Sequence, residues 1–578
     1  MPDTSTSTST STASPRPALP FYWPKGVSRD LRVPRITLDD NLSASAQRYP
    51  DKAAIIYAGA NTSYAQLLGQ VEALAGFLQQ RLQLAPGQRV LLQSQNCPQF
   101  VIACYAIFRA GGVVVPVSAM TTATELRYYA DNSGARLAIV AQELLASAQP
   151  CVDEGLLDAV IVHAYSDALP TTPPPDALPD VVTAPRQPLP AGPYHGFAAA
   201  LALQLAPGPR VAQAGMLATI PYTSGTTGHP KGCMHSHHSV LASLTGSRLW
   251  RGFNDDLVFL SVAPMFHMLG TQYGMNMPIA VGGTVVMMPR WDALLAARLI
   301  ERHQVTAWTA PPSMVIDLFS QAAAHGLDLS SLAMLAGGGA AMPEAVSQML
   351  AERYGLHYSE GYGLTETAAF LHANPPGHTK RQCLGVPTQG VHSMVVDPET
   401  LEELPAGEVG ELVSSGAQVM QGYWRNDEAN REAFFERHGR RYFRTGDLAS
   451  VDADGYYFMR DRLKRMINAN GYKVWPAEVE NMLYSHPAVL EACVIAVPDA
   501  KRGESVKALV VLRPGAQASA DEIIGWSRAQ MAAYKVPRAV DFLAALPKSA
   551  TGKIQWRALQ EAAQQAAAPS HSLHTEHP

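Results

Sequence analysis

The stretch Tyr222–Gly232, YTSGTTGHPKG, holds three glycines, one serine, three threonines and a lysine. The run Met216–Tyr222 leading into it reads as a strand. Beyond it, Ser236 is placed to cap a helix whose apolar positions include Val240, Leu241 and Leu244. Glycines let backbone N–H groups converge on an anion, and hydroxyls add further donors. Lys231 adds a positive charge. The P-loop pattern G-x-x-x-x-G-K-[ST] fails here: counted from Gly225, Pro230 stands where the second glycine belongs and Gly232 where the hydroxyl belongs. A phosphate loop and a plain flexible turn both remain open on these residues alone.

Working outward, Glu72–Leu82 has helical periodicity, Arg89–Gln93 reads as a strand, Phe100–Arg109 as a helix and Gly112–Val117 as a strand. Alternation of this kind resumes at Met216 and runs past Tyr354, which predicts α/β layers with largely parallel sheets. Residues 150–197 are Pro/Ala-rich and carry TTPPP; they are expected to form a mostly irregular surface excursion. Near residue 450 the texture changes. Asp454-Gly455 between Leu448–Val451 and Tyr456–Met459 reads as a hairpin. Pro476 then opens a helix, Leu490–Val497 and Lys507–Leu512 read as strands, and Asp521–Ala533 as a helix. The fold class is therefore α/β: a large N-terminal domain over 21–461 with layered subdomains, and a small mobile α+β domain over 462–563. Ser/Thr-rich residues 1–20 and Ala/His/Ser-rich residues 564–578 are expected to be disordered tails.

Composition narrows the function classes. In 578 residues, 47% are hydrophobic and 16% charged, enough for a sizeable core. A net charge of −5 implies no basic face, so nucleic acid is not an expected partner. The six cysteines show no C-x-x-C spacing, which suits a reduced chain without structural zinc. The apolar run Val101–Met120 is broken by Arg109, Gly111, Gly112 and Pro116, which reads as helix, loop and strand instead of a membrane span. A cytoplasmic protein without an integral membrane segment is expected.

The stretch S-G-T-T-G-x-P-K-G resembles the phosphate loop of the adenylate-forming superfamily, which holds acyl-CoA synthetases, peptide-synthetase adenylation domains and firefly-type luciferases. Its companions follow in order between about Leu42 and Leu559: VAPMFHMLG (Val262–Gly270), VTAWTAPP (Val305–Pro312), AGGGAAM (Ala336–Met342), SEGYGLTET (Ser359–Thr367), YFRTGDL (Tyr442–Leu448), DRLKRMINANGYKVWP (Asp461–Pro476) and LPKSATGKIQWRAL (Leu546–Leu559). The resemblance implies that Thr223, Ser224, Gly225, Thr226, Thr227, Gly228 and Lys231 bind the ATP phosphates. Gly339, Ala340, Glu360, Gly361 and Tyr362 would also bind ATP, Tyr362 near the adenine; Asp447 would take the ribose, and Arg462 the ribose or a phosphate. Glu366 would hold Mg²⁺, Thr365 would meet a phosphate, and Lys553 would bridge carboxylate and phosphate. His267, Trp308, Gly338, Tyr358 and Gly363 would line the acyl pocket, with His267 also counted among the catalytic residues. Lys464 occupies the hinge position, and Gly471 and Tyr472 the path of coenzyme A. The family often has proline where Ala341 stands and glycine where Asp461 stands.

What the resemblance implies is an ATP-dependent acyl-CoA synthetase: a carboxylic acid, medium- or long-chain or bulky and apolar, is joined to AMP with release of pyrophosphate and then passed to the thiol of coenzyme A. ATP, Mg²⁺ and coenzyme A are the expected cofactors and co-substrates, and a homodimer is among the expected assemblies. A ligase that loads a carrier protein is the near alternative, and a catalytically silent nucleotide-binding regulator is the alternative of another class. A luciferase-like oxygenase is disfavoured, because Asn468 stands where those relatives carry an extra lysine.

Overall fold

The computed structural model describes residues 22–172, 176–223, 230–338, 342–469, 472–499, 503–548 and 554–567. Among these, the strands form sheets of nine, seven, five and five, with one two-stranded pair. In the seven-stranded sheet the strands Arg89–Gln93, Val113–Val117, Leu137–Ala141, Ala159–His163 and Tyr194–Gly196 are all parallel. The nine-stranded sheet has a parallel centre built from Ala53–Tyr57, Thr284–Met287, Val258–Ser261, Ala307–Thr309, Met334–Gly337 and Tyr358–Tyr362. Two helices, Tyr64–Gln80 and Pro98–Arg109, share one core with residues of both sheets: Phe100 and Ile107 join Ile55 and Val285 on one side and Val90 and Ile139 on the other. Every residue of Pro98–Arg109 is buried. A helix with no polar face needs cover all round, and two sheets supply it. This is the run whose length and apolarity had to be weighed against a membrane span; among the described residues no helix is long and apolar enough to cross a membrane.

Residues 150–197 depart from the expected irregular excursion. Pro150 lies inside the helix Leu145–Asp153. Ala159–His163 is a fully buried strand of the seven-stranded sheet, and Tyr194–Gly196 extends that sheet. A buried parallel strand of five residues shows no alternation, and its Pro/Ala-rich flanks hid it.

Seven elements position the site. Helix α1 (His237–Arg251) starts at Ser236, whose hydroxyl accepts the Ser239 N–H at 3.1 Å, as expected of the cap. Strands β1 (Met334–Gly337) and β2 (Tyr358–Tyr362) pair in parallel. Strands β3 (Arg440–Val451) and β4 (Tyr457–Arg462) form the expected hairpin around Asp454-Gly455. Helix α2 (Pro476–Tyr484) begins at Pro476, and α3 (Trp556–Ala567) runs past Gln564, where a tail was expected to begin. Between β4 and α2 the turn Leu463–Arg465 is a single 3₁₀ turn. The last sheet, which contains Val489–Asp499 and Gly503–Leu512, carries its own apolar core of Ile467, Val479, Val494, Val510 and Ile523. All six cysteines are free and buried.

Candidate active site

The glycine-rich stretch is held by its two ends. Thr223 pairs with Lys231 and Tyr222 with Gly232 in a short antiparallel ladder. Residues 224–229 between them, with Ser224, Gly225, Thr226, Thr227 and Gly228, lie outside the described residues. A second segment clamps the ladder: the Trp424 N–H donates to Gly232 O at 2.8 Å and the Gln421 N–H to Met234 O at 2.9 Å. Lys231 Nζ sits 5.1 Å from the centroid of the Tyr423 ring.

That segment also reaches the second nucleotide motif. Tyr423 Oη donates to Glu366 Oε1 at 3.0 Å, and the Met420 N–H donates to Glu366 O at 2.7 Å. Burial pushes the Glu366 carboxyl above its ordinary range, while the Tyr423 hydroxyl and Arg462 pull it back. Thr365 O accepts from His235 Nε2 at 2.7 Å. This fixes the proton on Nε2 and leaves Nδ1 to accept from Ser239 Oγ at 3.2 Å; burial holds the His235 ring neutral, with its pKa pushed down to about 4. Sequence reasoning passed over both Tyr423 and His235. Tyr423 and His235 both lie outside the family motifs, and nothing local in the sequence joins either of them to Glu366 or Thr365.

Across β2, Tyr362 Oη donates to Asp447 Oδ2 at 2.7 Å. Arg462 Nε stands 3.0 Å from Asp447 Oδ1, facing it across the β3–β4 ladder. The Asp447 side chain is almost fully buried, yet Oδ1 receives no directed hydrogen bond. A carboxylate fixed on both sides with one acceptor still open suits a pair of ribose hydroxyls. Asp447 first, then burial working against it, sets the Arg462 guanidinium, whose pKa is raised.

The other expected residues fall into place unevenly. Glu360 spends both carboxylate oxygens on backbone: Oε1 accepts the Met342 N–H at 3.1 Å and Oε2 the Cys383 N–H at 2.8 Å. Its side chain therefore ties two loops together. Gly338 comes so close to β2 that an added Cβ would stand 2.8 Å from Gly361 O. Tyr358 Oη donates to Ala310 O at 2.9 Å. His267 packs its ring on Phe266, 4.4 Å between centroids, at the start of the short helix Met268–Thr271. Trp308 has no exposed surface and stacks on Trp291 at 5.4 Å, inside the core behind β1. Its strand position turns it toward the packed helices. Gly339, Ala340, Gly471 and Lys553 lie outside the described residues; of Tyr472 the backbone is described, in the strand Tyr472–Val474.

The turn Leu463–Arg465, where a hinge was expected, is clasped. Asp461 Oδ2 accepts the N–H of Ala477, in the first turn of α2, at 2.7 Å, and Arg465 pairs with Glu480 on the same helix. Lys464 is exposed; desolvation first, then Lys231 and Arg557, lower its pKa. Lys464 thus feels both Lys231 and α3, the helix that follows Lys553.

Residues 42–424 match the AMP-binding enzyme family, and residues 478–553 match the AMP-binding enzyme C-terminal domain. The chain belongs to the AMP-binding enzyme family. A long-chain-fatty-acid–CoA ligase of Bacillus subtilis (strain 168) is 34% identical over 557 residues, 95% of this chain and 98% of that one. Among solved structures, ATP-bound MatB from Rhodopseudomonas palustris superposes with a TM-score of 0.79 at 26% identity, over 92% of this chain and all of that one. The anthranilate CoA ligase AuaEII in complex with anthranoyl-AMP gives a TM-score of 0.79 at 27% identity, over 93% of this chain and 99% of that one. The mixed α/β fold, with a large multi-sheet N-terminal part and a smaller C-terminal part, is that of adenylate-forming enzymes.

Proposed function

We infer that the protein is an ATP-dependent acyl-CoA synthetase, an acid–thiol ligase that forms AMP. The observation that carries the reading is the paired arrangement of Asp447, held by Tyr362 beside Arg462, and Glu366, held by Tyr423, within electrostatic reach of one another. One carboxylate is shaped for a ribose and the other for a cation beside phosphates. The substrate is an apolar acid of medium or long chain, in line with the B. subtilis relative's name; an aryl acid is the arm favoured by the likeness to an anthranilate ligase. The domain boundary is placed at 461/462, the site of action in the cytoplasm, and the assembly as a homodimer.

The chemistry follows from charge. A carboxylate is a poor electrophile and repels the triphosphate it must approach. Its oxygen attacks the α-phosphorus, the bond to the bridging oxygen breaks, and pyrophosphate leaves. The Thr223–Lys231 loop supplies donors to the phosphates, and Lys553 neutralises the meeting anions. Glu366 is the residue that would hold Mg²⁺. It is a single half-buried carboxylate, one oxygen of which accepts from Tyr423, which fits an ion that prefers one or two carboxylates plus substrate phosphates. When bound, Mg²⁺ supplies Lewis-acid stabilisation of the phosphoryl oxygens. Arg462 and Asp447 fix the ribose, so that the α-phosphate is presented in one orientation. In the second half-reaction the thiol sulfur attacks the acyl carbonyl and AMP leaves. For the thiol to reach that carbonyl, the small domain turns about Lys464, on the Leu463–Arg465 turn.

The test is Lys553→Ala. Losing one aimed charge costs about 10²–10³ in rate, so acid-dependent pyrophosphate release should fall by that order while ATP still raises the melting temperature. Undiminished release in that variant refutes the assignment. Thioester formation with free coenzyme A alone separates this reading from carrier-protein loading, which the comparisons also accommodate.

A further inference from the structure

Glu366 sits in the 3₁₀ turn Thr365–Thr367, and the two residues that follow leave the ordinary backbone regions. Ala368 has φ 49° and Ala369 φ 77°. Left-handed backbone is costly for any residue with a Cβ and persists only where the surroundings fix it. Here the chain doubles back on itself. A Cβ added at Gly363 would stand 2.3 Å from Ala369 O, and the Leu371 N–H donates to Tyr362 O at 2.9 Å. Two side chains grip the turn at one atom: Ala368 O accepts from Ser243 Oγ on α1 and from Gln272 Nε2 at 3.3 Å. Ala368, Ser243 and Gln272 are all buried.

The Gln272 amide is itself held in one orientation. Nε2 also donates to Val240 O at 3.0 Å, and Oε1 accepts from Asn276 Nδ2 at 3.0 Å. Only the amide nitrogen can answer two carbonyls, so the side chain does not turn over. Asn276 Oδ1 in turn accepts from Tyr105 Oη at 3.1 Å. A line of donors thus runs from Tyr105, in the buried helix Pro98–Arg109, to the carbonyl two residues beyond Glu366. Gln272 and Asn276 bound a single π turn, in which the Met277 N–H donates to Gln272 O. Such turns recur at functional sites. This one continues the helix Met268–Thr271, which begins directly after His267.

We propose that Gln272 is a positioning residue for Glu366: with Ser243 it fixes the left-handed turn that aims the carboxylate. This rests on the acyl-CoA synthetase reading above and on Glu366 as the residue that would hold Mg²⁺. Tyr423 holds one carboxylate oxygen, and Gln272 holds the backbone that carries the carboxylate. Mg²⁺ tolerates little departure from octahedral geometry, so a small change in this turn is felt at the ion. The helix that follows His267, expected in the acyl pocket, and the carboxylate expected to hold the cation are then parts of one hydrogen-bonded unit.

The experiment compares wild-type protein with Gln272→Met, Ser243→Ala and Glu366→Gln, and has two readouts. The first is peptide-resolved amide hydrogen exchange in the absence of nucleotide and metal. Exchange over residues 364–371 should quicken about 5- to 10-fold in Gln272→Met, the worth of one buried hydrogen bond. Ser243→Ala should move it in the same direction, and β1 should keep its protection in both. The second readout is kinetic. The Mg²⁺ concentration for half-maximal pyrophosphate release should rise about 10-fold in Gln272→Met, the lower end of what groups behind a metal ligand contribute. Thioester formation from preformed acyl-AMP, which involves no triphosphate, should keep its rate. Exchange that quickens alike in every peptide, equal losses in both half-reactions, or an unmoved Mg²⁺ midpoint overturns the proposal alone. An unaltered Mg²⁺ dependence in Glu366→Gln overturns the cation reading and the proposal with it. Wild-type protein that releases no pyrophosphate with any acid overturns the synthetase reading as well.

Discussion

Tyr423 Oη donates to Glu366 Oε1 at 3.0 Å, while the ring of the same tyrosine lies under Lys231 Nζ at 5.1 Å. One side chain therefore meets both Lys231 and the carboxylate expected to hold the cation. Its segment is anchored on each side, by Trp424 to Gly232 and by Met420 to Glu366. Two motifs 134 residues apart in sequence, counted from Gly232 to Glu366, are thus set relative to each other by a residue that neither motif contains.

Removing that hydroxyl should loosen the carboxylate without disturbing the ring. Groups that orient a metal ligand from behind typically contribute 10- to 100-fold in metal affinity or activity. Tyr423→Phe is expected to lower kcat/KM for adenylation by about that factor and to raise the Mg²⁺ concentration needed for half-maximal rate. A titration of Mg²⁺ at saturating ATP reads this directly. An unchanged half-saturation point would show that Glu366 is oriented by other means.

Asp447→Asn tests the ribose clamp. The carboxylate accepts from Tyr362 on one oxygen and faces Arg462 with the other. An amide can keep one acceptor but points donors at the second place. Charged hydrogen bonds are worth about 1.5–3 kcal/mol each, so kcat/KM for ATP should fall roughly 10- to 100-fold. The same substitution should discriminate less between ATP and 2′-deoxy-ATP than the wild type does. Equal discrimination in both proteins would remove Asp447 from the ribose site.

Much of this was readable in the sequence because the signals were local. Ser236 caps α1, Asp454-Gly455 turns the β3–β4 hairpin and Pro476 opens α2, each through chemistry confined to a few neighbouring residues. The residues proposed for adenine, ribose and cation came from motif order. What stayed hidden depends on distant partners. Ala159–His163 is a strand only because Leu137–Ala141 lies beside it. Glu360 is a strut because Met342 and Cys383 come to it. Trp308 is core because Trp291 and the helices behind β1 cover it.

The proposed hinge offers a separation of the two half-reactions. Lys464 is the middle residue of the 3₁₀ turn Leu463–Arg465, where φ is near −50 to −70° and proline fits. Lys464→Pro should therefore preserve the clasped arrangement in which Asp461 holds Ala477, and fix the dihedral that must change for the small domain to turn. Adenylation measured by pyrophosphate release should be reduced less than thioester formation from preformed acyl-AMP. Equal losses in both half-reactions would count against rotation at this residue.

Acid stability should depend on buried histidines. His163 is fully buried against Tyr165 and Phe197, neither ring nitrogen has a partner, and desolvation pushes its pKa down to about 3 from an ordinary 6.5. His372 is held near 3 and His235 and His237 near 4 by the same cause. Because the folded values lie below the unfolded one, the stabilisation is present above pH 6.5 and is lost as pH falls from there toward the folded values. Each such histidine should remove about 2 kcal/mol of stability between pH 7.5 and pH 5. His163→Leu gives up no hydrogen bond and is close in volume, so it should flatten the acid limb by about that amount while shifting the neutral-pH midpoint little. Urea midpoints at the two pH values check this. A gap between them as wide in His163→Leu as in the wild type would mean that His163 takes up its proton without unfolding the protein.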